Sequence, residues 1–356
     1  MPTPHFSADA LERAFALVRQ GVAHGTFPSA VLAIADRQRI IHQEASGPAD
    51  AAYSVTPDAI YLLASITKPI VATAVMRLVE RGRITLHEPI AGLWPEFGVN
   101  HKETVTLWHL LTHTSGLDES YLARLAESRP PHQPVTPAQL HTADLAGALG
   151  SFLNAPPGAR FSYCNASFRI MAGLIERLTG QSYVEYLRTE VLAPLGMGDT
   201  TFTPTPAQAP RVVPVFDFPR PDHYPQFLAS ASPAGGLFST AADLIAFGRA
   251  FLNGGQLNGY RLLSPATVAA MTRLQFEGTT EWQPGRSEPV RWGLGWSLNK
   301  GLELAPPSAY GHGGATGTYL LVDPVHDLVV VFLTNRWGQD TRPRDRIFNA
   351  IYGAIG

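Results

Sequence analysis

The chain has 356 residues, of which 45% are apolar and 16% charged, and its formal net charge is −2. This is the composition of a globular protein with length for about two structural lobes, and it excludes a disordered chain, a basic stripe for nucleic acid and a polybasic membrane patch. The longest apolar runs, such as residues 328–333, are too short to span a bilayer, and the single cysteine, Cys164, excludes an internal disulfide and a multi-cysteine zinc site.

Leu11, Phe15 and Val18 stand at helical spacing and predict an amphipathic helix over 8–20. The opening residues lack the charged and apolar regions of a secretory signal, so cytoplasmic residence is the expectation. Residues 29–35 and 39–45 predict two strands joined at Asp36-Arg37-Gln38. A helix follows with Val71, Val75, Leu78 and Val79 as its apolar stripe and Gly82 just past its end. Pro69 is tolerated only in a first turn, so that helix must begin close to Ser65.

The middle of the chain predicts helices joined by long, proline-rich connections at 129–137 and 203–225, the second with seven prolines. Loops of this length in a compact protein tend to frame a site, and 118–140 and 203–232 are the expected pocket walls. Residues 237–252 predict another helix, ending near Gly254-Gly255. Strands are expected at 292–298, 318–322 and 328–334, with a last helix over 344–355. Strands at both ends with helices between them predict one α/β fold: an antiparallel sheet built from both termini and flanked by helices, interrupted by a mostly helical lobe. The expected division is 1–85 with 235–356 for the sheet lobe and 86–234 for the helical lobe.

Lysine is rare. Among 27 basic residues only Lys68, Lys102 and Lys300 are lysine, and Lys68 stands three residues after Ser65. On a helix that spacing puts both side chains on one face. An ammonium loses its proton when desolvated and a guanidinium does not, so Ser65 with a neutral Lys68 forms a nucleophile beside its base.

Four further segments follow in order: Leu110-Leu111-Thr112-His113-Thr114-Ser115-Gly116-Leu117, Tyr163-Cys164-Asn165, Gly235-Gly236-Leu237-Phe238-Ser239-Thr240 and His312-Gly313-Gly314-Ala315-Thr316-Gly317. With Ser65-Ile66-Thr67-Lys68 first, the set resembles the serine β-lactamase and penicillin-binding-protein superfamily over roughly residues 30–334. The Tyr-x-Asn segment resembles the branch of class C β-lactamases, D-alanyl-D-alanine carboxypeptidases, D-aminopeptidases and esterases. The resemblance implies a β-lactamase/transpeptidase-like fold, with Ser65 as the acylated nucleophile and Lys68 and Tyr163 as its proton carriers. Which of Lys68 and Tyr163 is the primary base stays open. It further implies that Asn165 donates to the substrate amide or to Lys68, that His312, Gly313 and Gly314 bind substrate, and that the N–H groups of Ser65 and Ala315 form an oxyanion hole.

The third segment departs from the Lys-Thr-Gly of typical β-lactamases, where the lysine and hydroxyl help bind the β-lactam carboxylate. His312-Gly313-Gly314 offers much less, and no Glu-x-x-Leu-Asn segment of the class A type is present. The expected activity is therefore hydrolysis of a small ester, amide or short D-peptide without metal or cofactor. β-Lactamase or D,D-carboxypeptidase activity is the alternative within the class, and a ligand-capturing module without turnover the alternative outside it. Cys164 has no basic partner and is expected to be a small packed residue. His109 and His113 have i,i+4 spacing but lack the intervening Glu of a metalloprotease helix, so packing is expected for both. No G-x-S-x-G elbow is present, which disfavours an α/β-hydrolase triad.

Overall fold

The two most apolar strands, β1 (Ala30–Ala35) and β8 (Leu328–Thr334), come from opposite ends of the chain and pair antiparallel, from Ala30 opposite Thr334 to Ala35 opposite Val329. Their side chains are buried on both faces, which is why the sequence shows unbroken apolar runs and no alternation. In this computed structural model, which describes residues 6–48, 53, 55–130, 135–283, 286–298 and 302–356, the pair lies next to one edge of an eight-stranded sheet. β2 (Ile40–Ser46) forms one edge. On the other side of β8 lie β7 (Tyr319–Asp323), β6 (Tyr310–Gly313), β5 (Ser297–Leu298), β4 (Arg286–Trp292) and β3 (Phe276–Gln283), in that order and antiparallel.

One face of the sheet is covered by the terminal helices α1 (Ala8–Ala23) and α8 (Arg342–Tyr352), through Phe15, Val18, Phe348 and Ile351 against Leu32, Ile34 and Phe332. The opposite residues of the same strands, Val31, Ala33, Val329 and Val331, face the larger core. There α7 (Ala241–Leu252) lies close because Gly248 has no Cβ: one would sit 2.5 Å from Val329. That core continues without a break into α2 (Thr67–Glu80) and α6 (Ala166–Thr179), most of whose residues are buried. α3 (Leu107–Leu111), α4 (Glu119–Glu127) and α5 (Pro137–Gly150) complete the helical part that concerns the site. Among the described residues no helix is long and apolar enough to cross a membrane.

The sheet from both termini is as the sequence predicts; several elements differ. The strand expected over 292–298 is two, β4 and β5, broken by a turn in which Gly295 has φ +79°. β3 was not predictable from apolar runs because it is polar along much of its length, and β6 because two of its four residues are glycine. The glycines are needed: a Cβ on Gly311 would lie 2.3 Å from the Leu320 carbonyl oxygen. The helix expected from 237 begins at Ala241, because Phe238 and Ser239 pair with Tyr61 and Leu62 and Thr240 caps the helix through the Asp243 N–H. The expected loop over 118–140 holds α4 and the first turn of α5; residues 131–134 of the 129–137 connection, like Lys300, lie outside the described residues.

Candidate active site

Ser65 is held by the segment before it. Leu63 N–H donates to the Leu237 carbonyl at 2.8 Å, and the carbonyls of Leu62 and Leu63 accept from the hydroxyls of Thr316 and Thr318, each at 2.9 Å. The turn after β6 is thus tied to the backbone just ahead of Ser65. Gly314 permits this contact, since a Cβ there would lie 2.2 Å from the Leu63 oxygen. Ala64 then takes a left-handed conformation, φ +47°, which is strained for a residue with a Cβ. Ser65 sits in a single 3-10 turn, Ala64–Ile66, that leads into α2 with Pro69 in the first turn, as expected.

Lys68 Nζ lies 3.1 Å from Ser65 Oγ and donates to the Ala234 carbonyl at 2.7 Å. Its side chain is 0% exposed, and burial lowers its pKa to about 7, against the opposing pull of Glu119 and Cys164. Near neutrality a large fraction of the amine is therefore unprotonated. Nζ also stands 4.7 Å from the centre of the Tyr163 ring. The Tyr163 hydroxyl is hydrogen-bonded to the Ser65 side chain; burial pushes the phenol up and that bond pulls it down. Both the amine and the phenol thus reach Ser65.

Asn165 precedes α6 and does not meet Lys68 through its amide. Its Nδ2 donates to Glu119 Oε1 at 2.7 Å, while its own N–H and that of Ala166 donate to Glu119 Oε2 at 2.7 and 3.1 Å. Glu119, which sequence reasoning did not single out, therefore fastens α4 to the start of α6, where a carboxylate is favoured by the free N–H groups. Its only signal was its position just after the Thr114–Leu117 segment. His312 is buried on β6, where its Nδ1–H donates to the Gly313 carbonyl at 2.9 Å and its ring centre lies 6.3 Å from that of Tyr163.

Two cavities meet at Ser65, Tyr163 and Ala315. One, of about 450 Å³, also holds Asn165 and Glu119 and is walled by residues of α4 and of the 203–232 stretch, both of which the sequence named. The other, of about 620 Å³, holds His312, Gly313 and Gly314 and reaches Thr341, Arg344 and Asp345 at α8. All eight expected site residues are brought together, seven on the cavities and Lys68 buried behind Ser65.

The two histidines of the i,i+4 pair point apart. His109 Nδ1 accepts from Thr106 N–H at the start of α3, and His113 lies beyond the helix, packed on Tyr163. Cys164 is buried, and burial pushes its thiol up, in keeping with a packed residue.

A model of the Beta-lactamase family matches residues 14–354. The chain belongs to that family. Penicillin-binding protein 4 of Amycolatopsis lactamdurans is 32% identical over 320 residues, covering 83% of this chain and 77% of that protein. Among solved structures, a penicillin-binding protein homologue from Caulobacter crescentus superposes with a TM-score of 0.81 at 22% identity, over all of both chains. A family VIII carboxylesterase superposes with a TM-score of 0.80 at 23% identity, again over all of both chains. The fold of this family is the one that the sequence segments implied.

Proposed function

We propose that the protein is a serine-dependent acyl hydrolase that cleaves esters or amides through an acyl-enzyme on Ser65. The observation that carries this reading is the 3.1 Å approach of Lys68 Nζ to Ser65 Oγ with the amine fully buried and its pKa lowered to about 7. The site then lies between a sheet lobe of residues 1–85 and 235–356 and a mostly helical lobe of residues 86–234.

Neutral Lys68 takes the Ser65 proton as Oγ attacks the carbonyl carbon. The developing oxyanion is received by the N–H groups of Ser65 and Ala315, a type of donor often worth about 100-fold in rate. As the tetrahedral species collapses, the bond to the leaving group breaks and Tyr163 gives its proton to the departing oxygen or nitrogen. Tyr163 recovers that proton from Lys68. Water then attacks the acyl-enzyme, the same pair removes its proton, and Ser65 Oγ leaves protonated. Burial holds Tyr163 as a phenol in the resting state, which favours Lys68 as the first base.

His312 in place of a lysine supports esters and amides over β-lactams. Lysine presents a fixed ammonium to a carboxylate, whereas a histidine is mostly neutral at pH 7. The test is a panel of a chromogenic short-chain ester, a chromogenic anilide and a chromogenic cephalosporin, each run against Ser65→Ala. Ester or anilide turnover above that variant, with a covalent phosphonate adduct on Ser65 by intact mass, is the expected result. No turnover and no adduct would leave the chain a binding module.

A further inference from the structure

The 450 Å³ cavity has an aromatic wall that nothing in the catalytic chemistry requires. Phe218 and Trp337 meet edge to face at 4.8 Å, Phe227 stands 5.4 Å from Phe218, and Leu122 lies on the same cavity. The charges that reach this cavity already have partners. Glu119 accepts three hydrogen bonds at the start of α6, and Arg169 is paired with Asp144 at 2.6 Å. The 620 Å³ cavity also has rings, Trp292 and Tyr319, but sets beside them His312, Glu288, Thr341 and the Arg344–Asp345 ion pair, so polar groups and water are better received on that side. We propose that the aromatic-walled cavity receives an uncharged aromatic or apolar acyl group, and that the polar cavity receives the leaving alcohol or amine.

This inference rests on the acyl-hydrolase reading and is tested with p-nitrophenyl esters that differ only in the acyl part. Phenylacetate is expected to exceed acetate by about ten-fold in kcat/KM, and the anionic hemisuccinate and cationic glycinate to fall below acetate, since an unpaired charge is costly in an apolar site. Phe227→Ala and Trp337→Ala should each erase most of the phenylacetate advantage, with acetate within about three-fold of the parent protein. A preference for a charged acyl group, or a phenylacetate advantage intact in both variants, overturns the assignment. Failure of every ester against Ser65→Ala overturns the hydrolase reading instead.

His113 carries a second inference on separate observations. Its backbone is left-handed, φ +58°, and its side chain is 0% exposed. Its carbonyl accepts from Ser162 N–H at 2.8 Å, its Nδ1 accepts from Cys164 N–H at 3.0 Å, and its ring stacks on Tyr163 at 4.4 Å and 26°. One residue thus holds Tyr163 and both of its chain neighbours. We infer that His113 is a positioning residue that fixes the Tyr163 hydroxyl for proton delivery to the leaving group.

A p-nitrophenolate departs without a proton and an alkoxide does not, so a displaced Tyr163 should slow alkyl esters more than p-nitrophenyl esters of the same acid. His113→Asn keeps an acceptor and tolerates the left-handed backbone but removes the stacked ring. It is expected to lose about ten-fold more kcat on the ethyl ester than on the p-nitrophenyl ester, with KM within about three-fold, and to add little to the loss in Tyr163→Phe. His113→Phe keeps a ring and loses the acceptor, which tests the Cys164 bond separately. Equal losses on both esters in a folded His113→Asn, or additive losses with Tyr163→Phe, refute the positioning role. If Tyr163→Phe itself ignores the leaving group, it is the role of Tyr163 that fails.

Discussion

Lys68 and Lys102 occupy similar surroundings. Both side chains are buried, each donates to a backbone carbonyl at 2.7 Å (Ala234 for Lys68, Ser151 for Lys102), and each lies near an aromatic ring, Tyr163 for one and Phe97 for the other. In both, burial lowers the pKa from the ordinary lysine range. Only Lys68 has a hydroxyl at 3.1 Å, on a serine that opens onto two cavities. Burial of a lysine therefore makes a base available, but what it faces decides whether that base has work.

The largest expected effect is in Ser65→Ala, which should lower turnover by at least about a thousand-fold and abolish the phosphonate adduct. Lys68→Arg is expected to come close to it, because a guanidinium does not give up its proton. Normal labelling in that variant would show that Lys68 is not the base. Tyr163→Phe should cost about 100-fold or more, concentrated on substrates with poor leaving groups.

The pH dependence sharpens the same contrast. The active form of Lys68 is the unprotonated amine, so kcat/KM should rise with pH and level off above an inflection near 7. A flat profile between pH 5.5 and 8.5 would remove Lys68 as the titrating group. The smallest effect on chemistry belongs to the other lysine. Lys102→Met leaves the Ser151 carbonyl with only the 3.4 Å donation from Asn100 Nδ2 and should cost about 1–3 kcal/mol in urea unfolding, with kcat unchanged in the folded protein. A loss of kcat there, with stability intact, would erase the distinction between the two.

Much of the site was legible because its parts are short segments in a fixed order, and each keeps its chemistry in its own residues. Ser65 and Lys68 are three apart and share a turn, so local geometry alone joins them. Glu119 escaped notice because its partners, Asn165 and Ala166, are more than forty residues away, and a lone glutamate carries no pattern. The sequence predicts packing for His113, and it does pack. What the sequence does not reveal is that it packs on Tyr163 and holds both neighbours of that residue. β3 and β6 are not legible in the sequence for a related reason: they are strands through their pairing with neighbours, and their own residues have little preference for it.

By itself the sequence determined the sheet from both termini, the nucleophile–lysine spacing and the departure at His312, because these depend on local period, residue type and order. Only the tertiary structure decided that Lys68 is fully buried, that Tyr163 bonds Ser65, and that one cavity is walled by Phe218, Phe227 and Trp337 while the other reaches the charged start of α8. Desolvation and cavity lining are sums over residues from α2, α4, α6, the 203–232 stretch and β6, and no single segment of the chain contains them.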